Sequence, residues 1–121
     1  MPDQAYVSYM KLVLGLYILK ILEQEKMHGN QLAERIVIRT GGAYRPNTNA
    51  LYPLLRSMEE KGYVTGHWQN PNTRSKRIYE ITADGIKRLP ELEAMLAERL
   101  KQIEVKIALL REDLLGFKNE L

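Results

Sequence analysis

The chain has 121 residues, 45% hydrophobic and 27% charged, which fits one globular domain and excludes a disordered or fibrous class. It has no Cys, which excludes disulfides, zinc-finger spacing and a thiol nucleophile and suits a reducing compartment. The net charge is only +3, but residues 30–90 hold ten bases against five acids, while residues 1–29 are balanced and residues 91–121 are mildly acidic. That partition suggests one face for a polyanion and another for something else.

The start, Met1-Pro2-Asp3-Gln4, has no basic n-region, so no secretory signal is expected. The most apolar run, Leu12 to Leu22, is too short to span a bilayer and includes Lys20. A cytoplasmic protein without membrane contact is therefore expected. Residues 8–25 read as a helix whose apolar positions cover most of its circumference, which requires burial. Gly15 within it is expected at a close helix contact. Residues 26–30 form a short break. A second helix follows over about 30–39, ended by Thr40-Gly41-Gly42.

A third helix is predicted to begin at Pro46-Asn47, with Asn47 as N-cap and Leu51, Leu54, Leu55 and Met58 on its apolar face. Lys61-Gly62 ends it. Pro53 inside it should bend the helix or loosen its first turn. The period then changes. Residues 63–69 and 75–81 are rich in β-branched and aromatic residues around the turn cluster Asn70-Pro71-Asn72-Thr73, a two-stranded hairpin signal. Thr82 caps a last helix that runs to about Lys118, with a kink expected at Pro90. From Leu100 its apolar residues Leu100, Ile103, Ile107, Leu110, Leu114 and Phe117 step by three and four, as in a coiled-coil seam.

The expected fold is mainly α with a small β-hairpin: a winged helix-turn-helix over residues 1–82 and a C-terminal dimerisation helix over residues 83–121, packed as one compact unit. The last helix is too long for so small a core to cover, so its seam calls for a second copy. The over-apolar first helix calls for the same cover. The expected interface is Leu12, Leu16, Leu19, Leu100, Ile103, Ile107, Leu110 and Leu114. A distal helix that folds back on itself is the alternative, but no Gly or Pro between Leu92 and Leu115 offers it a turn.

Several residues point to DNA. Asn47, Thr48, Asn49 and Tyr52 occupy the first turns of helix three, where polar side chains can meet base edges and phosphates. Tyr44 and Arg45 precede the helix, and Arg56 lies one turn beyond Tyr52. Arg74, Lys76 and Arg77 make the densest basic cluster, at the wing tip. Each has a plainer alternative: capping for Asn47, packing for Tyr52, a solvated loop charge for Arg45, an ion pair with Glu59 or Glu60 for Arg56, and a charged hairpin edge for the wing cluster. His67 and Trp68 read as wing packing, and His28 as a turn residue rather than a metal ligand. No nucleophile–base pair, phosphate-cradling loop or metal spacing is present, so no enzyme, cofactor or metal site is expected.

The segments Gly15-Leu16-Tyr17-Ile18-Leu19, His28-Gly29, Asn49 to Val64 (NALYPLLRSMEEKGYV) and Lys76 to Gly85 (KRIYEITADG) resemble the PadR family of bacterial winged-helix regulators over about residues 12–90. The family also carries a proline after the helix-three tyrosine, which matches Tyr52-Pro53. The resemblance implies a dimeric transcription factor, usually a repressor, on an inverted-repeat operator in double-stranded DNA, released by a small-molecule effector of unknown identity. The single helix after the wing is similar to the short subgroup. Members that bind flat aromatic drugs between subunits use an aromatic in the long helix, where this chain has only Phe117, near the end. The competing function is a winged-helix architectural or protein-interaction module, of the replication-fork-blocking or anti-repressor type, without an effector. Sequence-specific, salt-dependent binding to an operator separates the two.

Overall fold

The structure is a computed structural model that describes residues 8–70, 72 and 76–116. Among these residues four helices and three short strands follow in the order α1 (Tyr9–Gln24), β1 (Met27–His28), α2 (Gly29–Arg39), α3 (Thr48–Glu60), β2 (Val64–Trp68), β3 (Arg77–Ile81) and α4 (Ala83–Leu115). The expected helix end near Lys118, Phe117 and the wing-tip Arg74 lie outside the described residues.

The apolar circumference of α1 is explained by its position at the centre. Eight of its residues are buried, from Leu12 to Leu22, against α2, α3, α4 and the sheet. The helix begins at Ser8, whose hydroxyl accepts the Lys11 N–H at 3.4 Å. A second tie fixes α4 across it, an ion pair of 2.6 Å between Lys20 and Glu93. The rest of the core comes from Leu32 and Ile36 of α2, Leu51, Leu55 and Met58 of α3, Met27, Val64 and Tyr79 of the sheet, and Leu89 of α4.

Gly15 does not mark a close helix contact within the chain. A Cβ there would meet nothing within 4 Å, because the glycine borders an open space between α1, α3 and α4 lined by Leu12, Leu19, Leu54, Met58, Leu92 and Met95. The expected two-stranded hairpin is in fact a three-stranded antiparallel sheet in the order β1-β3-β2. The extra strand is the two-residue β1, paired Met27 to Tyr79 and His28 to Ile78. Two residues are too few to show a period-2 pattern, so this segment reads as a break in sequence.

Helices α3 and α4 continue through Pro53 and Pro90. Both prolines, with Asn49 and Ile86 four residues before them, are exposed. The carbonyls left without a helical donor can therefore bond to water. Thr82 starts α4 by accepting the Gly85 N–H at 3.0 Å, and its hydroxyl donates to the Gly62 carbonyl at 2.6 Å, tying the helix start to the end of α3. Gly85 is needed there, since a Cβ would run into the Tyr63 carbonyl. Gly62 has φ +82°, the left-handed conformation expected after α3.

Candidate nucleic-acid interface

The Asn47 side chain accepts the Asn49 N–H at 2.8 Å and so begins α3 at Thr48. Burial of Leu51, Leu55 and Met58 fixes the helix rotation and turns Thr48, Asn49, Pro53 and Arg56 to solvent. Tyr52 is half-buried. Its hydroxyl donates to Asn30 Oδ1 at 2.9 Å, and its ring crosses Gly29, where a Cβ would lie 2.6 Å from Cε1. The start of α2 is thus locked to α3. That start is itself capped, with the His28 N–H donating to Gln31 Oε1 at 2.9 Å. His28 therefore terminates β1 and begins α2.

Tyr44 packs at the edge of the core, and burial raises its phenol above the ordinary pKa. Its backbone is held by Thr40, whose hydroxyl accepts the Tyr44 N–H at 3.1 Å. Arg45 and Glu34 approach to 3.8 Å, with both side chains well exposed, so this contact binds weakly.

Tyr79 on the central strand of the sheet lies opposite Gly66, and Arg77 lies opposite Trp68. Strand alternation puts Arg77, Tyr79 and Ile81 on one face, together with Val64, Gly66 and Trp68. That face turns toward α3, and there Arg77 Nη2 donates to Glu59 Oε2 at 2.6 Å. Burial raises the Tyr79 phenol above its ordinary pKa, helped by Glu59 and Tyr52 and opposed by the Arg77 guanidinium. Trp68 lies under the Arg77 guanidinium, and His67 is exposed.

His28, Asn30, Tyr52, Arg56, Lys76 and Arg77 line one concavity between the start of α2, α3 and the hairpin. Among the residues expected at DNA, the fold thus groups Tyr52, Arg56, Lys76 and Arg77 there. Thr48 and Asn49 stand at the exposed N-terminal end of the same helix. Arg56 and Lys76 are exposed and have no ion pair among the described residues. Glu59 pairs with Arg77 and not with Arg56. Glu59 was expected from sequence only as an alternative ion-pair partner of Arg56, and Asn30 was not expected at the site. The parity of Arg77 with Tyr79 and Ile81 signalled that this cation needs a partner but not which one, since a cation on a core-facing strand position is rarely left unpaired.

Of the residues expected at a subunit interface, Leu12, Leu16 and Leu19 are covered by the chain's own fold, at 4%, 5% and 0% exposure. The α4 helix crossing α1 takes up this surface. The seam of α4 is open. Leu100, Ile107, Leu110 and Leu114 are exposed, the last two at 55% and 70%, and Ile103 is half-buried. Among the described residues no cluster of His, Asp and Glu could hold a metal ion. No described helix is long and apolar enough to cross a membrane.

The sequence model of the Transcriptional regulator PadR-like family matches residues 18–91. The Escherichia coli (strain K12) protein named Transcriptional regulator YqjI is 30% identical over 88 residues, 73% of this chain and 42% of that protein. The chain therefore spans less than half the length of the curated relatives it matches. Among solved structures, the Thermoplasma acidophilum protein TA0346 superposes with a TM-score of 0.69 at 28% identity, over 81% of this chain and 91% of that one. A PadR family transcriptional regulator from Eggerthella lenta has a TM-score of 0.58 at 24% identity, over 74% of this chain and 80% of that one, a likeness of fold.

Proposed function

The chain belongs to the PadR-like family of transcriptional regulators, and from that premise we propose that it is a sequence-specific DNA-binding protein that acts in the cytoplasm as a homodimeric repressor, released from an inverted-repeat operator by a small effector. The observation that carries this reading is the exposed polar front of α3 beside a basic wing. Thr48 and Asn49 head a helix whose buried face is spent on the core, while Arg56 farther along it and Lys76 beside the wing strand have no ion pair among the described residues. Such a helix enters a major groove by its first turns, and the flanking cations meet phosphates. Asn47 and Arg45 stand where the helix N-terminus and its preceding loop approach the backbone, with Tyr44 behind them; Arg74, outside the described residues, is proposed from the sequence as a further phosphate contact.

The dimer is supported by the open seam Leu100, Ile103, Ile107, Leu110 and Leu114, apolar surface that a second α4 would bury. Two-fold symmetry then requires an inverted repeat, with half-sites about one or two helical turns apart.

Selection of bound sequences from random duplex DNA with the purified chain tests the reading. A palindromic consensus is the expected result. Retention of duplexes without any enriched sequence would overturn it in favour of an architectural winged-helix module.

A further inference from the structure

A carboxylate ties the wing to α3. Glu59 is in the last turn of the helix, and its Oε2 accepts from Arg77 Nη2 at 2.6 Å and from the Gly66 N–H at 3.3 Å. It therefore holds both long strands of the sheet, β2 through Gly66 and β3 through Arg77. The guanidinium is held from a second side by Trp68, with its Cζ 5.3 Å from the ring centroid. Gly66 forms the floor, since a Cβ there would lie 2.8 Å from Arg77 Nε and 3.1 Å from Cζ. The two charged side chains are only 30% and 29% exposed, and a charge-assisted bond at this distance is among the strong ones.

A carboxylate on a surface that meets DNA repels phosphates, so Glu59 is electrostatically misplaced there unless a cation neutralises it. Arg77 does so, and its guanidinium is then committed to the protein. The exposed cations of the same concavity are Arg56 and Lys76.

We propose that Glu59, Arg77, Gly66 and Trp68 form a clasp that sets the wing against α3, so that Arg77 is a positioning residue and not a phosphate contact. The proposal rests on the DNA-binding reading above. If it holds, the wing's place on the DNA backbone is fixed by an internal ion pair, and loss of either partner lets the hairpin drift from the helix that reads the groove.

The test uses the full chain, a labelled duplex carrying the sequence selected by the wild type, and an unrelated duplex of the same length. The variants are Arg77→Met, Glu59→Gln and the pair together. Each single change should weaken binding to the selected duplex about tenfold, and the pair should fall no further than the worse single. The salt slope of Arg77→Met on the unrelated duplex should equal that of the wild type. Trp68, the one tryptophan of the sequence, reads the clasp without DNA, and its emission should shift to the red in both single variants. A slope lower by about 0.9 in Arg77→Met, with tighter binding by Glu59→Gln, would overturn the proposal and make Arg77 a phosphate contact restrained by Glu59. Unchanged affinity and unchanged emission would overturn it as well. Wild-type protein that retains no duplex in the selection overturns the DNA-binding reading and, with it, the clasp's role there. That failure is told apart because the Trp68 emission of the variants is measured without DNA.

Discussion

Asn49 is the residue on which base reading depends most. Its side chain is exposed one position inside α3, and only its backbone N–H is spent, on the Asn47 cap. An Asn amide can pair bidentately with adenine. Asn49→Ala should therefore cost about 1–3 kcal/mol at one base position in each half-site and relax the preference there. Comparison of consensus sequences selected by the two proteins checks this, and a uniform fall in affinity would make Asn49 a backbone contact. Tyr79 makes a separate, pH-dependent prediction. Burial favours its neutral phenol, so the folded residue titrates above the unfolded one. The stability it contributes is complete below pH about 10 and is lost as pH rises through the folded value. Urea unfolding between neutral pH and pH 11 should lose stability more steeply in the wild type than in Tyr79→Phe.

Within single elements, the physics that could be read in sequence was the physics of repeating patterns. Leu51, Leu55 and Met58 announced the buried face of α3, and Asn47 and Thr82 announced two helix starts because capping depends only on local residues. The pairing of Arg77 with Glu59 was not legible, because the partner lies 18 residues away and only the fold brings it within reach. β1 was hidden by its length. The role of Gly15 was not legible because a small residue in a buried helix marks either a close approach or an empty space, and only the packing around it decides between them. With nothing within 4 Å of a Cβ, Gly15→Ala should raise stability by about 0.5–1 kcal/mol through helix propensity. A lower melting temperature in that variant would mean that a partner subunit closes the space. Lys76→Ala beside the wing strand and Arg56→Ala on α3 should each lower the salt slope by about 0.9 if each meets one phosphate. An unchanged slope would assign that cation to the solvated surface.

The shape of the whole molecule explains why a second copy is proposed. The 33 residues of α4 span about 50 Å, and only its first half packs on the core, through Leu89, Leu92, Met95 and Leu96. The distal half keeps its apolar seam in solvent. This excess was legible in sequence as spacing, whereas the full use of Leu12, Leu16 and Leu19 within one chain was not, because it depends on where α4 crosses α1. Ile107→Asp would put a charge into the seam and should dissociate the dimer, read as a halved sedimenting mass at micromolar concentration. Two chains joined through α4 are proposed to read one two-fold DNA site. Sedimentation of the chain mixed with a duplex bearing its selected sequence measures this stoichiometry directly. Two chains per duplex is the predicted result, and a single chain per duplex, from protein that is monomeric at micromolar concentration, would contradict the account.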